Sequence, residues 1–258
     1  MSNKLKAKQY HTAVSNYDEA TIISMVREDY IQHNPKVPTG RAAFVSMIPK
    51  LKEHGSKIEN IRMFEDGKHV IMHHKWINAA PFGFEETAAF HIIRFDDEGR
   101  IAEHWNVMAE LGLPNGSGRT LLNGETEIKN VEKTASNKAK IKELFKVFIN
   151  DSIEKQIEHL PQFFKKEFHQ HNPHFTDGIQ SLTQALKDDK YFPRYNKQHV
   201  VFGEGNFVLS ISEGILLGIH TAFYDLFKLE DDKIAVHWHI SQEIPATELA
   251  NTNTMFNF

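Results

Sequence analysis

Apolar residues recur at helical spacing in the first part of the chain and alternate with polar ones later. Helical patterns cover 4–14, 18–29 and 40–53, with a short strand at 30–33 stopped by Pro35 and Pro38. Strand patterns follow at 58–64, 70–77, 84–95 and 100–111; Asp66-Gly67 and Asp97-Glu98-Gly99 supply the hairpin turns. The same order then returns. Helices are expected at 138–150, 153–165 and 179–187, and strands near 199–202, 207–213, 218–229 and 233–243. Ile141, Leu144, Phe145, Phe148 and Ile149 share one helical face, and Asn137 is placed to cap that helix.

The recurrence extends to residue identities. Tyr30-Ile31-Gln32-His33-Asn34-Pro35 matches Phe168-His169-Gln170-His171-Asn172-Pro173 at an offset of 138, and Gly40 matches Gly178. Downstream, Phe90–Phe95 parallels Phe223–Lys228 and Arg100–Trp105 parallels Lys233–Trp238 at an offset of 133. Ordered matches of this kind indicate an internal duplication. The first domain is expected at 1–112 and the second at 137–258. The stretch 113–136, rich in Asn, Gly and Ser at its start, is expected as a linker. Helices followed by meandering strands give an α+β class with an antiparallel sheet, curled by its helices into a cone that suits a small molecule.

Composition narrows the classes. The 258 residues carry 30 basic and 34 acidic side chains, a net charge of −4, and no dense Lys/Arg run. A nucleic-acid or anionic-membrane partner is therefore not expected. No apolar run reaches membrane-spanning length, the first residues lack the apolar stretch of a secretion signal, and a cytoplasmic location is expected. Cysteine is absent, which removes disulfides and thiolate chemistry, whereas His is abundant at 16. No Gly-rich phosphate loop or G-x-S-x-G elbow occurs, so no cofactor is expected.

The QHNP segment of each copy, together with RFDDEGRIAEHWNV and FKLEDDKIAVHWHI, resembles the SnoaL-like branch of the NTF2-like superfamily. Ser117-Gly118-Arg119-Thr120 together with Thr134-Ala135-Ser136-Asn137-Lys138 is similar to the linker of tandem members, and 251–256 to their C-terminus. The resemblance implies two NTF2-like cones (cystatin-like α+β rolls), each with about three helices against a curved antiparallel sheet. It also implies a small apolar or carbonyl-containing ligand, and cofactor-free acid–base chemistry of the aldol, cyclase or isomerase type. Binders without catalysis share the fold, so that alternative stands beside the enzyme. Pairing through the open sheet implies an internal pseudo-dimer of the two domains, with a homodimer as a further expectation.

Such chemistry needs a base for a proton next to a carbonyl and a donor for the enolate oxygen. In the first copy the candidates are His33, His73, His91, Glu103, His104 and Asn106. Strand alternation puts His104 and Asn106 on one face and Glu103 and Trp105 on the other; the first pair is expected in the pocket. The resemblance implies acids where His91 and Asn106 stand, and an amide is no base. In the second copy the candidates are His171, Asp225, His237 and His239, with Asp225 expected as base, its pKa raised by the dry cone, and His237 as donor. The position matching His73 is expected near Ser210 or Ser212. QHNP reads equally well as a structural turn, and Asp225 as a structural link to Lys228 or His237. Two His-x-His pairs, His169/His171 and His237/His239, offer a minor alternative, a zinc or copper site.

Overall fold

The computed structural model describes residues 1–187 and 190–258. The chain divides into two compact units, 1–111 with 245–258, and 112–244. This division differs from a split into 1–112, 113–136 and 137–258. The stretch read as a linker lies with the second unit, and the last residues of the second copy lie with the first unit.

In the first unit, α1 (Asn3–Ser15) and α2 (Glu19–Met25) lead into β1 (Val26–Gln32). Ser2 caps α1 and Asp18 caps α2, each accepting a backbone N–H three residues on. The helix expected over 40–53 is two helices, α3 (Arg41–Val45) and α4 (Ile48–His54). Pro49 is the reason: it has no N–H to give back to the preceding turn, so it starts a new helix. Strands β2 (Lys57–Asp66), β3 (His69–Ile77), β4 (Glu86–Phe95) and β5 (Ile101–Glu110) form a meander. The sheet order is β1-β5-β4-β3-β2. β2 to β5 pair antiparallel, as expected, but β1 lies parallel to β5, so the sheet is mixed. Helices α3 and α4 carry the chain from β1 to the far edge, which lets the last strand return beside the first.

The second unit repeats this plan. After α5 (Thr134–Asn150) and α6 (Ile153–Phe163) come β6 (Phe164–Gln170), α7 (Gly178–Lys187), β7 (Arg194–Glu204), β8 (Phe207–Leu216), β9 (Ile219–Glu230) and β10 (Lys233–Glu243). Sheet order is β6-β10-β9-β8-β7, with β6 parallel to β10. The segment leading to α5 is held to this sheet at Gly205: a Cβ there would sit 2.1 Å from the Lys129 carbonyl, and φ is +60°.

Each cone is the concave face of its sheet closed by helices. In the first, Ala7, Tyr10 and Val14 of α1 pack with Val70, Met72 and Trp76 of β3 and Ala89 and Ile93 of β4. In the second, Leu144 and Phe145 of α5, Leu160 of α6 and Leu182 of α7 pack with Phe223 and Phe227 of β9. Each fully buried side chain of this size is worth roughly 1.5–3 kcal/mol. The opposite sheet faces, including Ile71, Phe90, Ile92, Trp105 and Trp238, are buried as well.

Strand register also decides which residues correspond. His91 lies opposite Asn106, and Asp225 lies opposite His239. His91 and Asp225 are therefore equivalent, at an offset of 134, one more than sequence matching gives. Met72 opposes His91 as Ser210 opposes Asp225, so His74 corresponds to Ser212 and His73 to Ile211.

Candidate functional site

The second cone is built around Asp225, a carboxylate with no exposed surface. Its position on the concave face of β9 puts it beside two residues of β10 that share that face. His237 Nε2 donates to Asp225 Oδ1 at 2.9 Å, and His239 Nδ1 donates to the same oxygen at 2.7 Å. Tyr195 Oη donates to Oδ2 at 3.2 Å. His237 and His239 line a narrow cavity with Phe148, Phe192, Tyr195 and Phe227. Its open volume is about 20 Å³, room for about one water. Asp225 lies behind the imidazoles.

Electrostatics reverses the sequence expectation for Asp225. Burial alone would raise its pKa, but the charge of His239 and the hydrogen bonds from His237 and His239 outweigh burial and hold it below the ordinary carboxylate range. Asp225 is thus an ionised carboxylate near neutral pH. Burial lowers His237 below its ordinary value, against the pull of Asp225. Burial and the Asp225 carboxylate push Tyr195 well up, so its hydroxyl keeps its proton. Because Asp225 accepts from His237 Nε2–H and His239 Nδ1–H, the other nitrogen of each ring, Nδ1 and Nε2 respectively, carries the lone pair when that ring is neutral.

In the first cone, His104 and Asn106 do share the concave face, as alternation predicts, with Trp105 turned away. His104 Nδ1 meets Tyr30 Oη at 2.9 Å and the Gln32 amide nitrogen at 3.1 Å. The amide orientation is set by Gln32 Oε1, which accepts from the Asn34 N–H at 2.9 Å. His104 Nδ1 is therefore the acceptor and its Nε2 carries the hydrogen. His91 joins it, the ring centroids 4.5 Å apart. His74, adjacent to the expected His73, and His11 of α1 complete the group: His74 and His91 centroids are 4.1 Å apart, His11 and His74 5.0 Å. Burial lowers His11 to about 4 and His104 to about 3, and takes His74 and His91 well below the ordinary value. All four are neutral imidazoles.

Three expected site residues lie elsewhere. His33 stacks on Trp105 at 4.3 Å, and its nitrogens bond to the Thr254 carbonyl at 2.7 Å and Glu103 Oε2 at 2.9 Å. His171 stacks on Trp238 at 4.9 Å with Nδ1 on the Thr120 carbonyl at 2.7 Å. His73 stacks on Phe90 at 4.3 Å and meets Arg62 at 3.2 Å. All three keep company with the tryptophan side of their sheets. Glu103 is there too, paired with Arg94 and His33. The His169/His171 metal pair is not formed: β6 ends at Gln170, and His169 is exposed while His171 is buried. His237 and His239 do share a face, but each commits one nitrogen to Asp225.

Sequence reasoning missed His11, His74 and Tyr195. His11 lies on the buried stripe of Ala7, Tyr10 and Val14, a helical-spacing signal. His74 has the parity of Val70, Met72 and Trp76, which a stricter count from Trp76 detects.

The profile of the SnoaL-like domain matches residues 7–104. Several solved structures align with part of the chain. A protein of unknown function with a cystatin-like fold from Xanthomonas campestris is 25% identical over 43% of this chain and 92% of that one, with a TM-score of 0.36. An NTF2-like protein of unknown function from Cytophaga hutchinsonii is 13% identical over 42% and 91%, TM-score 0.36. An LEH-like epoxide hydrolase from M. tuberculosis is 14% identical over 42% and 82%, TM-score 0.35. No curated protein matches the chain.

Proposed function

We propose, for a chain whose first unit holds a SnoaL-like domain and whose second unit repeats its NTF2-like fold, that the second cone binds a small apolar carbonyl compound and moves a proton at the carbon beside the carbonyl. The reaction class is cofactor-free aldol, cyclisation or isomerisation chemistry. The observation that carries this reading is the shared acceptor: Asp225 Oδ1 receives both His237 Nε2 and His239 Nδ1. A buried carboxylate that fixes an imidazole tautomer leaves the second nitrogen as an oriented base. The two imidazoles are the proton-transfer groups, and Asp225 orients them and stabilises the imidazolium formed. This reverses the simpler assignment of Asp225 as base and His237 as donor. Phe148, Phe192 and Phe227 supply the apolar wall, and one or more of them moves to admit a ligand larger than water.

A second reading, a binder without turnover, draws on the first cone, where His91 and Asn106 occupy the positions of Asp225 and His239. The deciding experiment follows deuterium exchange by NMR on a panel of 1,3-diketones and β-keto esters in D₂O. Wild-type protein and Asn106→Ala exchange above the buffer rate; Asp225→Asn, His237→Gln and His239→Gln lose on the order of 10²-fold. Equal exchange by all variants overturns the assignment. Absence of exchange across the panel, with an apolar molecule retained through purification, favours the binder.

A further inference from the structure

We propose that the first cone is a binding site for a divalent first-row transition ion such as zinc, held by His11, His74 and His91. This inference concerns a different unit from the proton-transfer site above and stands without it.

Three ring nitrogens, one from each residue, lie within 4.8 Å of one another. His11 comes from α1, His74 from β3 and His91 from β4, so helix and sheet together bring the ligands in. All three side chains are buried, and each has a ring nitrogen with no hydrogen-bond partner among the described residues: His11 Nε2, His74 Nε2 and His91 Nδ1. A buried polar atom left unpaired costs about 1–3 kcal/mol. With one nitrogen of each ring within 4.8 Å of the others, a single cation can accept a lone pair from all three.

The tautomers fit. His11 Nδ1 lies 2.7 Å from Asn60 Oδ1, an oxygen that only accepts, so Nδ1 carries the hydrogen and Nε2 presents a lone pair. His74 Nδ1 leans toward the Met72 carbonyl at 3.4 Å, leaving its Nε2 inward. Metal-bound imidazoles characteristically give their second N–H to such an oxygen, which orients the ring. At about 2.1 Å from a tetrahedral ion, nitrogens stand about 3.4 Å apart, so the rings close by up to about 1.4 Å on binding.

The donor set indicates the ion. Three imidazoles with no carboxylate suit zinc and its neighbours rather than calcium or magnesium. They also leave one coordination position open. His104 Nε2–H and Asn106 Oδ1, both buried and without a hydrogen-bond partner among the described residues, stand next to His91 and supply hydrogen-bonding groups beside it. The other cluster with metal-ligand spacing, Asp225, His237 and His239, differs in kind: its facing atoms already satisfy one another.

The test uses the full chain, stripped with a chelator and titrated with Co²⁺ and with Zn²⁺ against a chromophoric chelator. One equivalent per chain is expected, with a visible cobalt band of a nitrogen-ligated, low-coordinate site. His11→Gln and His91→Phe weaken binding at least 100-fold, while the double variant Asp225→Asn/His239→Phe binds as the wild type does. Should a ligand variant fail to fold by circular dichroism, Asn60→Ala decides: it leaves the ligands in place but frees His11, and a roughly 10-fold loss is expected. Absence of stoichiometric binding to the folded wild type overturns the proposal. So does binding that His11→Gln, His91→Phe and Asn60→Ala leave unchanged.

Discussion

Asn115 and Asn251 fasten the equivalent turn in the two units. Asn115 Nδ2 donates to the carbonyls of Gln170, Asn172 and Phe175, and Asn251 Nδ2 donates to those of Asn34 and Val37. Asn34 and Val37 are the equivalents of Asn172 and Phe175. The Oδ1 atoms likewise accept from Ser117 N–H and Asn253 N–H, two residues on. Asn115 follows β5 of the first copy yet fastens the QHNP turn of the second unit. Asn251 follows β10 yet fastens the QHNP turn of the first. The imidazoles of His33 and His171 continue the pattern by bonding to the Thr254 and Thr120 carbonyls. QHNP is thus the seat of an exchanged strap.

Replacing either asparagine by alanine takes the side-chain donor from the Val37 or the Phe175 carbonyl, while those of Asn34 and Asn172 keep a backbone N–H. Asn251→Ala and Asn115→Ala are each expected to cost about 1–3 kcal/mol. Urea unfolding measures this, and a change below about 0.5 kcal/mol for both refutes the strap as a structural device.

Removing residues 245–258 deletes Asn251, the Thr254 carbonyl that holds His33, and Phe258, which stacks on Trp105 at 4.8 Å. Amide hydrogen exchange is expected to speed up in β1 and β5 and to stay as before in β6 and β10. Uniform acceleration across both units contradicts the exchanged-strap account.

Asp225 and His237 both weaken the fold as pH falls, in separate windows. His237 has a folded pKa below its ordinary value of about 6.5, so the unfolded chain takes up the proton first as pH falls. Its contribution is complete above about pH 6.5 and is lost as pH drops toward the folded value, with a slope of at most about 1.4 kcal/mol per pH unit. Asp225, also depressed, contributes fully above about pH 3.9 and loses this only as pH falls further through its folded value. Because His239 faces the same carboxylate, Asp225→Asn is expected to lower the His237 NMR titration midpoint further. An unchanged or raised midpoint contradicts the dyad.

Tyr195→Phe removes only the hydroxyl that donates to Asp225 Oδ2. A loss of about 0.5–1.5 kcal/mol is expected. Asp225→Ala, which strands two imidazoles in a buried site, is expected to cost about 3–5 kcal/mol. Thermal unfolding compares the two, and near-equal effects argue against Asp225 as the centre of the cluster.

Phe192→Ala enlarges the cavity beside His237 and His239. An apolar anilinonaphthalene dye is expected to bind the variant more tightly than the wild type, with the gain abolished by a bulky ligand of the same cone. Identical dye binding shows that Phe192 does not gate the space.

The duplication, the α+β class and the order of elements are legible in the sequence, because these rest on local periodicity and on repeated identities that survive without any partner. It also set the face of His104 and Asn106, since alternation along one strand is a local rule. It did not reach the strand register, and a shift of one residue is what separates His91 from Ile92 as the counterpart of Asp225 and His74 from His73 as a cone residue. It could not place His11 with them, because a helix residue and two strand residues meet only through long-range packing. Nor could it give the direction of the Asp225 pKa: burial and hydrogen bonding act oppositely, and only the arrangement of both imidazoles on one oxygen decides which prevails. The reach of Asn115 and Asn251 is likewise tertiary, since the chain crosses from one copy to the other in residues whose composition says only turn.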